Sequence, residues 1–475
     1  MMPRLLACLL LAAVTASSAE QTDGPFRKRV LVDLKTPQPG GLKDPMELAV
    51  APDGRVLYAE RGGAVKIWKP DTGTVALAAR LPVFTGLEDG LLGITLDPQF
   101  ARNGWVYLNR SLPETRPTPE GKRGLIRTSR FTLKGDTLDL GSERTIIEIE
   151  TQRDECCHVG GSLAFDPQGS LYIAVGDNTN PFGSDGFSPM DRRPGRSAWS
   201  AEKSSANMND LRGGVVRIRP KPDGGYDIPA GNLFPPGTPG TRPEIYVKGC
   251  RNVFRISVDP KSGFLYWGDV GPDAGEFKEG RGPAGQDEIN QARAAGFFGW
   301  PYFVGNNGAY WSWDFEQNAA GERFDPRAVK NLSPFNTGTQ ELPPALGAFI
   351  HYAHSPSARW PVLNAGGGRT AMAGPVYHFD ALLASPVKLP AEFDRTLFIY
   401  EWSRNWIVAV KLTEDDQIAG MKRFCPGMTF LRPMDMELGP DGCLYVIEWG
   451  ANWGDNQDTQ IVRIEHAGGP AAAVR

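Results

Sequence analysis

The sequence predicts an all-β fold, a six-bladed β-propeller with long inserted loops. The first observation is a strand–turn–strand pattern that recurs six times along the 475 residues. The second is that 56 glycines and 40 prolines are spread through the chain, which is typical of many short strands joined by turns. The third is a globular composition, 41% hydrophobic and 22% charged, with enough apolar side chains for a large core.

The repeated unit is an apolar alternating run, a turn that usually contains Asp-Pro or Pro-Asp-Gly, and a second apolar run with an aromatic residue. Period-two alternation on both sides of turn-favouring residues indicates a β-hairpin. One hairpin cannot bury its apolar face, whereas six in a ring can, and a ring leaves only short sheet edges. The alternative is a β-sandwich with chance resemblances between its turns. The copies are residues 48–58, 94–107, 163–172, 256–266, 389–398 (the most degenerate) and 436–445.

The copies are unevenly spaced, which predicts long insertions. Residues 178–210 are rich in Ser, Asn, Pro and Arg, and residues 302–374 contain Trp311, Trp313 and Trp360. Loops of this length in a compact domain are usually functional or disordered. The aromatic content of the second segment predicts an ordered lid or wall over one end of the central channel.

The N-terminus has the pattern of a secretory signal peptide, with a short basic start, an apolar run and a small-residue cleavage site. We expect residues 1–19 to be removed, residues 20–43 to lead into one propeller domain of residues 44–466, and residues 467–475 to form a flexible tail. No later stretch has the roughly 18 uninterrupted apolar residues of a membrane span. The prediction is an exported protein, periplasmic or secreted.

The net charge and the number of cysteines limit which binding partners and which disulfide bonds we expect. The formal net charge of −4 provides no basic field for nucleic acid. Of six cysteines, Cys8 lies in the signal peptide, and the odd number that remains implies a free thiol or an intermolecular bridge in an oxidising compartment. Cys156 and Cys157 are adjacent: they could bond to each other, remain reduced, or one of them could pair with Cys250.

Five short motifs occur in order along the chain. They are Glu88-Asp-Gly-Leu-Leu-Gly93, His158-Val-Gly-Gly161, Gly249-Cys-Arg-Asn252, Gly271-Pro272 and Asp287-Glu-Ile-Asn290. In this order they resemble the glucose/sorbosone dehydrogenase family, and the resemblance extends over roughly residues 44–463. It implies a quinoprotein oxidoreductase that oxidises an aldose or related sugar alcohol with pyrroloquinoline quinone (PQQ) and Ca²⁺. It also implies a separate electron acceptor, a quinone or a cytochrome.

His158 is the predicted catalytic base. An imidazole titrates near neutrality and can accept a hydroxyl proton, although a histidine at the start of a strand is more often structural. The resemblance makes His158 the group that takes the sugar proton while hydride moves to the quinone, and it places Glu88 and His158 against the substrate. Gly160 and Gly161 are expected to let the backbone pass close to a bound molecule.

Arg251 and Asn252 match the family's arginine–asparagine pair at the cofactor. A guanidinium can polarise a quinone carbonyl and stabilise charge that develops on its oxygen, although most arginines form surface salt bridges. We therefore expect Arg251 to be catalytic and both residues to bind the cofactor. By analogy with another quinoprotein class, the alcohol dehydrogenases, a disulfide ring of Cys156 and Cys157 would pack on the quinone.

The predicted metal site is the Gly271-Pro272 turn, which matches the family's calcium-binding turn. Calcium takes six to eight oxygen ligands, including backbone carbonyls. Asp273 could add a carboxylate, and Asp287 and Glu288 are candidates for the same calcium or for a second, structural one. Acidic residues beside a turn more often cap it or face solvent.

The C-terminal part of the chain departs from the family pattern. Arg404 and Arg432 are expected to bind the cofactor, but Ser403 stands where the family has a lysine and Met434 replaces a second arginine. The loss of two cations near a tricarboxylate favours an alternative, a non-catalytic carbohydrate- or protein-binding propeller that has lost its cofactor. A calcium-dependent hydrolase is a third possibility, supported only by the acidic loops.

Overall fold

The structure is a computed structural model that describes residues 20–364 and 367–467. Its regular structure is nearly all β-strand. The one α-helix in the described part, Phe100–Asn103, has four residues. No helix within these residues has the length and apolar character that a membrane span requires. The predicted signal peptide and residues 468–475 of the predicted tail lie outside the described residues.

Six antiparallel sheets form the blades, which we number by the chain order of their innermost strands. Blade 1 contains Pro45–Val50, Val56–Glu60, Ala64–Trp68 and Val75–Arg80, and blade 2 contains Leu91–Leu96, Trp105–Ser111, Gly121–Lys134 and Thr137–Gln152, with Arg116–Thr118 at its edge. Blade 3 contains His158–Phe165, Leu171–Asn178, Gly214–Pro220 and Ile245–Lys248, with Tyr226–Asp227 and Gly296–Phe297 added. Blade 4 contains Val253–Val258, Leu265–Asp269, Asp287–Ala292 and Ile350–Tyr352, and blade 5 contains Ala371–Tyr377, Thr396–Glu401, Trp406–Leu412 and Ile418–Arg423. Blade 6 contains Pro433–Leu438, Leu444–Glu448, Gln460–His466, Phe26–Asp33 and Gln21–Asp23.

The sheets close into a ring. The innermost strand of each blade contacts that of the next, from blade 1 to blade 6 and back to blade 1. Blade 6 joins the two ends of the chain, because Phe26–Asp33 pairs antiparallel with Gln460–His466. The segment 20–43, expected to lead into the propeller, thus supplies an outer strand of the closing blade.

The prediction of an all-β, six-bladed propeller is confirmed. Five of the six repeats cover the hairpin between the first and second strands of a blade. The degenerate copy 389–398 reaches only the second strand of blade 5, Thr396–Glu401, because the inner strand Ala371–Tyr377 ends twelve residues before it. The beginning of that inner strand falls inside the segment predicted as an insertion.

The two insertions form one ordered wall on the face where the innermost strands begin. Short 3-10 turns at Ser197–Trp199 and Ala201–Lys203 structure the first, and hairpins structure the second. The hairpins pair Phe303–Val304 with Gly308–Ala309 and Trp311–Asp314 with Ala319–Arg323, and a further 3-10 turn lies at Pro361–Leu363. Outside both insertions, a 3-10 turn at Ala391–Phe393 precedes the second strand of blade 5. The insertions share a buried apolar cluster that includes Phe187, Met208, Tyr302, Phe303 and Tyr310.

The central channel is closed by charged side chains. Arg255 of blade 4 is 1% exposed and donates from Nε to Met434 O of blade 6 (3.0 Å). Its Nη2 donates to Met46 O of blade 1, and its Nε lies 3.4 Å from Asp435 Oδ1. Because this network blocks the middle of the ring, a ligand at the mouth has no direct route through the propeller.

Candidate active site

The mouth of the propeller is ringed by buried acids. In four of the six blades the second strand ends on a carboxylate, and in blade 3 a carboxylate is the last residue but one. This end of the strand lies beside the start of the innermost strand. The residues are Glu60, Asp177, Asp269, Glu401 and Glu448. They bind the backbone of neighbouring loops: Glu60 accepts from Lys43 N (2.9 Å) and Glu401 from Arg404 N (2.6 Å). Sequence reading missed this pattern, although each acid follows the aromatic residue of its repeat by two to five positions.

His158 opens the innermost strand of blade 3 and is paired with one of these acids. Its Nδ1 lies 2.8 Å from Asp177 Oδ1, and both side chains are buried. Asp177 is held in turn by Trp300 Nε1 (3.0 Å) and by Thr179 N (3.0 Å). A carboxylate at Nδ1 selects the tautomer that carries its proton there, so Nε2 is the nitrogen that can accept a proton.

Gly160 and Gly161 serve packing between blades rather than approach to a ligand. Both have a positive φ, +71° and +113°. A Cβ on Gly161 would collide with Leu92 of blade 2, and one on Gly160 would press against the backbone of Gly176 and Val253. The sequence-based interpretation of these glycines was wrong, because the neighbouring strands occupy the space it assigned to a bound molecule.

Cys156 and Cys157 are bonded to each other immediately before His158. The pair is half-buried. Cys250 is fully buried and carries a free thiol whose pKa burial raises well above its usual value. Of the two pairings and the reduced state left open by the sequence, the structure contains the vicinal pairing. Packing of this ring on a cofactor stays a prediction.

Arg251 and Asn252 lie at the junction of blades 3 and 4, where Arg251 O accepts a hydrogen bond from Asp177 N (2.8 Å). Their backbone N–H groups donate to Asp269 (3.1 and 2.7 Å), and burial raises the pKa of Asp269 to about 6. Arg251 Nη1 donates to Val270 O (2.8 Å). Within the described residues, Arg251 Nε and Asn252 Oδ1 are buried without a hydrogen-bond partner. Because such a group costs about 1–3 kcal/mol, this pair indicates a polar ligand.

The Gly271-Pro272 turn is occupied by protein groups. Pro272 O accepts a hydrogen bond from Arg369 Nη2 (2.7 Å), and Gly271 N donates to Asp287 Oδ1 (3.0 Å). Asp287 Oδ2 accepts from Ala371 N (2.8 Å). A guanidinium therefore lies where the resemblance predicted Ca²⁺.

The predicted carboxylate ligands of calcium do not converge. Glu288 accepts from Gly305 N (2.5 Å) and Asn290 Nδ2 (2.9 Å), and burial raises its pKa to about 8. The Asp273 side chain is 66% exposed and lies 3.8 Å from Arg251. No group of three or more His, Cys, Asp or Glu in the described part of the chain could hold a metal ion. The calcium site predicted at Gly271, Pro272, Asp273, Asp287 and Glu288 does not fit this geometry.

Arg404 anchors the second insertion. Its Nε, Nη1 and Nη2 donate to Gly368 O (2.8 Å), Leu363 O (3.0 Å) and Ala353 O (2.9 Å). These bonds fix the segment that leads to blade 5. A contact between Arg404 and a cofactor stays a prediction.

Arg432 stacks between two indole rings. Its guanidinium lies 4.3 Å from the Trp402 centroid and 5.1 Å from the centroid of Trp453, which is 82% exposed. Met434, at the position of the lost arginine, is buried, and the Ser403 hydroxyl bonds Thr370 Oγ1 (2.7 Å). A cofactor-binding role for Arg432 also stays a prediction.

Glu88 lies in the loop that joins blades 1 and 2. The residue is half-buried, and its Oε2 is buried with no partner among the described side chains and backbone groups. The neighbouring Asp89 is buried, and burial raises its pKa. An unpartnered carboxylate oxygen at the mouth is consistent with a contact to a hydroxyl-bearing substrate, which stays a prediction.

Fold and site together define a six-bladed propeller with a histidine–carboxylate pair and unsatisfied cationic groups at its mouth. A family model described as Glucose / Sorbosone dehydrogenase matches residues 42–329, more than half of the chain. The chain belongs to the glucose/sorbosone dehydrogenase family, a family of oxidoreductases, and the family predicted from the five motifs is thereby confirmed.

Three relatives illustrate the range of similar proteins. Aldose sugar dehydrogenase YliI of Escherichia coli K12 is 26% identical over 413 residues, which cover 86% of this chain and 87% of the relative. Hedgehog-interacting protein of Homo sapiens is 26% identical over 235 residues, which cover 46% of this chain and 31% of that protein. The PQQ-bound aldose sugar dehydrogenase of Streptomyces coelicolor shares the fold, with a TM-score of 0.56, 18% identity, and coverage of 94% of this chain and 99% of that one.

Three residues that the sequence reading passed over belong to the site. Asp177 and Trp300 lie outside the five motifs and were given no role from the sequence. Arg369 lies in no motif and comes to Pro272 from 97 residues away. The acid that ends each repeat was the signal for Asp177, whereas no local pattern pointed to Arg369.

Proposed function

We propose that this protein is an exported quinoprotein oxidoreductase that oxidises an aldose or related sugar alcohol with PQQ and passes the electrons to a separate acceptor. The observation that carries the proposal is the His158–Asp177 pair at the mouth, together with the unsatisfied polar atoms of Arg251 and Asn252. PQQ, when bound, supplies the acceptor for the hydride that leaves the sugar carbon. The signal-peptide pattern of residues 1–19 supports a periplasmic or secreted location.

His158 removes the hydroxyl proton. Oxidation of a C–OH group to a carbonyl releases a hydride from carbon and a proton from oxygen, and Nε2 of His158 is placed to take the proton. Asp177 holds the ring through Nδ1 and stabilises the imidazolium that forms, as a buried carboxylate does for a catalytic histidine. Trp300 and Thr179 fix Asp177 through its two oxygens, so the base is held in one orientation.

The other polar groups of the mouth fit an anionic planar cofactor. PQQ carries three carboxylates, and a guanidinium with unused N–H groups suits both a carboxylate and a quinone oxygen. Arg251 and Arg369 each have buried nitrogen atoms with no hydrogen-bond partner in the described structure. The Cys156–Cys157 ring lies next to His158 in sequence and forms part of the same rim. Calcium is left out of the proposal because Pro272 O, Asp287 and Glu288 already bind protein groups and Asp273 points away from them into solvent.

A non-catalytic binding propeller is the second candidate. The relatives include Hedgehog-interacting protein, and Ser403 and Met434 replace two expected cations. The exposed Trp453, which contacts Arg432 and meets Trp402 edge to face, offers a flat surface that would suit a sugar ring or a protein side chain. This candidate predicts sugar or protein binding without any dependence on a quinone.

A titration with PQQ separates the two candidates. We expect PQQ added to the purified chain to produce a visible absorption change that saturates, and the loaded protein to reduce a dye when an aldose is supplied. The variant for comparison is Arg251→Gln, which keeps side-chain hydrogen bonding but removes the charge. Its affinity for PQQ should be lower than that of the unmutated chain. Absence of any PQQ binding to the unmutated chain, with or without added Ca²⁺, would remove the enzyme proposal.

A further inference from the structure

Two arginine side chains bind the backbone of the turn that follows the second strand of blade 4. Residues 270–272 connect Asp269 to the loop that returns at Asp287. Arg251 donates to the carbonyl of Val270 (2.8 Å), and Arg369 donates to the carbonyl of Pro272 (2.7 Å). Two carbonyls that could face a metal ion therefore face guanidinium groups.

Arg369 is buried and only partly satisfied. Its side chain is 2% exposed, and its Nη1 lies 3.4 Å from Oδ1 of Asp287, whose side chain is 1% exposed. Nε and Nη1 of Arg369 make no hydrogen bond within the described residues. Arg251 Nε is in the same condition. Asp287 faces Arg369, and the exposed Asp273 lies 3.8 Å from Arg251, yet both guanidinium groups keep unused N–H donors. Unused donors on two buried guanidinium groups suit an anion.

A calcium ion cannot share this place. Calcium needs six to eight oxygens at about 2.3–2.6 Å, and at that distance from Pro272 O it would lie within a few ångströms of the Arg369 guanidinium. The repulsion between such charges is large in a buried site. The buried carboxylate of Asp287, beside the turn, already faces Arg369 at 3.4 Å and accepts backbone N–H groups from Gly271 and Ala371.

We propose that the Arg369 guanidinium is the resident cation of the Gly271-Pro272 turn, and that this chain binds its anionic ligand without calcium. The identification of the ligand as PQQ rests on the function proposed above. The replacement of the metal by Arg369 does not rest on that function, because it follows from the hydrogen bonds of the Gly271-Pro272 turn. Arg369 becomes a binding residue that fixes one side of the anion, with Arg251 on the other.

The test uses the full mature chain, stripped with a chelator, and two readouts. The first is the melting temperature with and without Ca²⁺. The second is PQQ binding by absorbance under the same two conditions. Arg369→Gln removes the charge, and Arg281→Gln is the matched control. Arg281 is also buried, donates to the Ser184 carbonyl (2.6 Å) and lies 3.2 Å from Asp185, so it has a similar set of bonds away from the turn.

We expect the unmutated chain and Arg281→Gln to melt at the same temperature with and without Ca²⁺, and to bind PQQ equally well in both conditions. Arg369→Gln should bind PQQ about 10- to 100-fold more weakly, the effect of losing one charge-assisted hydrogen bond. In this variant Ca²⁺ should raise the melting temperature and recover part of the binding, because the turn regains a cation. Arg369→Lys should remain insensitive to Ca²⁺.

Two results would overturn the proposal. One is a calcium-dependent rise in the melting temperature of the unmutated chain, which would mean that the metal binds beside Arg369. The other is an Arg369→Gln protein that folds and is as insensitive to Ca²⁺ as the control. Failure of PQQ to bind any of the proteins would count against the proposed function alone, because the melting temperatures would still report on the cation.

Discussion

At the scale of single residues, the propeller contains two histidine–carboxylate pairs at opposite ends. His158 lies 2.8 Å from Asp177 at the mouth, and His378 Nε2 lies 2.6 Å from Asp259 at the far end, where it ties blade 5 to blade 4. The two pairs have similar geometry but different surroundings. Only the pair at the mouth lies beside the unsatisfied polar atoms of Arg251.

Replacement of His158 by Gln should lower turnover with a good sugar substrate by about 10²–10⁴-fold, the usual contribution of a general base. Glutamine keeps much of the size and hydrogen bonding of the side chain but cannot accept the proton. PQQ affinity should change little, because the ligand is held by cationic groups. Dye-reduction kinetics and a PQQ titration on the same preparations measure both quantities.

His378→Gln is the control for this experiment. It removes the same kind of side chain from the same kind of pair, so a general loss of stability would appear in both variants. We expect His378→Gln to keep its turnover number. Equal losses in the two variants, or full activity in His158→Gln, would show that His158 is not the base.

The sequence predicts His158 as the base, but it does not predict the side chains that hold its partner Asp177 or that bind the Pro272 turn. A histidine before two glycines is a local pattern, whereas Trp300 reaches Asp177 across 123 positions and Arg369 reaches Pro272 across 97. Such contacts depend on how the insertions fold back over the ring. Gly160 and Gly161 are the opposite case. Their local pattern is present, but they serve packing between blades, and the predicted approach to a ligand was wrong.

At the scale of elements, the closing strand of blade 6 depends on a buried ion pair. Lys28 on Phe26–Asp33 lies 2.9 Å from Glu448, and the two side chains are 3% and 0% exposed. Burial raises the pKa of Glu448, and the charge of Lys28 opposes that rise. The pair connects Phe26–Asp33, an outer strand of the ring-closing blade, to an acid that also belongs to the mouth.

Lys28→Met should destabilise the protein by about 3–5 kcal/mol, because it leaves a buried carboxylate without its partner. Urea denaturation followed by tryptophan fluorescence provides the measurement. The double variant Lys28→Met/Glu448→Gln should recover part of the loss, since neither partner is then charged.

The adjacent Arg27 supplies a matched control. It pairs with Glu20 at 2.6 Å, but the side chains are 44% and 51% exposed. Exposed pairs contribute about 0–1 kcal/mol, so Arg27→Met should change stability by no more than that. If Lys28→Met and Arg27→Met behaved alike, the closing strand would not depend on the buried pair.

The repeats predicted the two inner strands of five blades because each hairpin and its turn are local in sequence. Two of the strands that the repeats did not predict escaped for different reasons. Phe26–Asp33 finds its partner strand more than 400 residues away, and Ala371–Tyr377 lies before a degenerate turn of the repeat. Pairing between distant segments leaves no periodic signal beyond its own alternation.

At the scale of the whole molecule, the ionisable side chains of the central channel make the stability of the propeller depend on pH. Glu47 of blade 1 is 3% exposed and accepts from Ile94 N (2.7 Å) of blade 2. Arg255 of blade 4 and Asp435 and Glu437 of blade 6 interact with it electrostatically. One guanidinium therefore faces the carboxyl groups of Glu47 and Asp435, with Glu437 as a third acid beside them, and burial disfavours their simultaneous ionisation.

Stability should fall as the pH rises through the range in which Glu47 loses its proton. Burial raises the pKa of Glu47 to about 8, with a smaller rise from Asp435 and an opposing effect of Arg255, whereas its ordinary value is 4.5. The folded state thus holds the proton more tightly than the unfolded state. The resulting stabilisation is complete below the ordinary value and is lost as the pH approaches 8, at up to about 1.4 kcal/mol per pH unit for one proton.

Glu47→Gln, which is neutral at every pH, should make the urea-denaturation midpoint nearly independent of pH between those limits. Glu322→Gln, on an exposed hairpin, should leave the pH dependence of the midpoint unchanged. Parallel pH profiles for the unmutated chain and Glu47→Gln would show that the channel carboxyl is not the group that titrates.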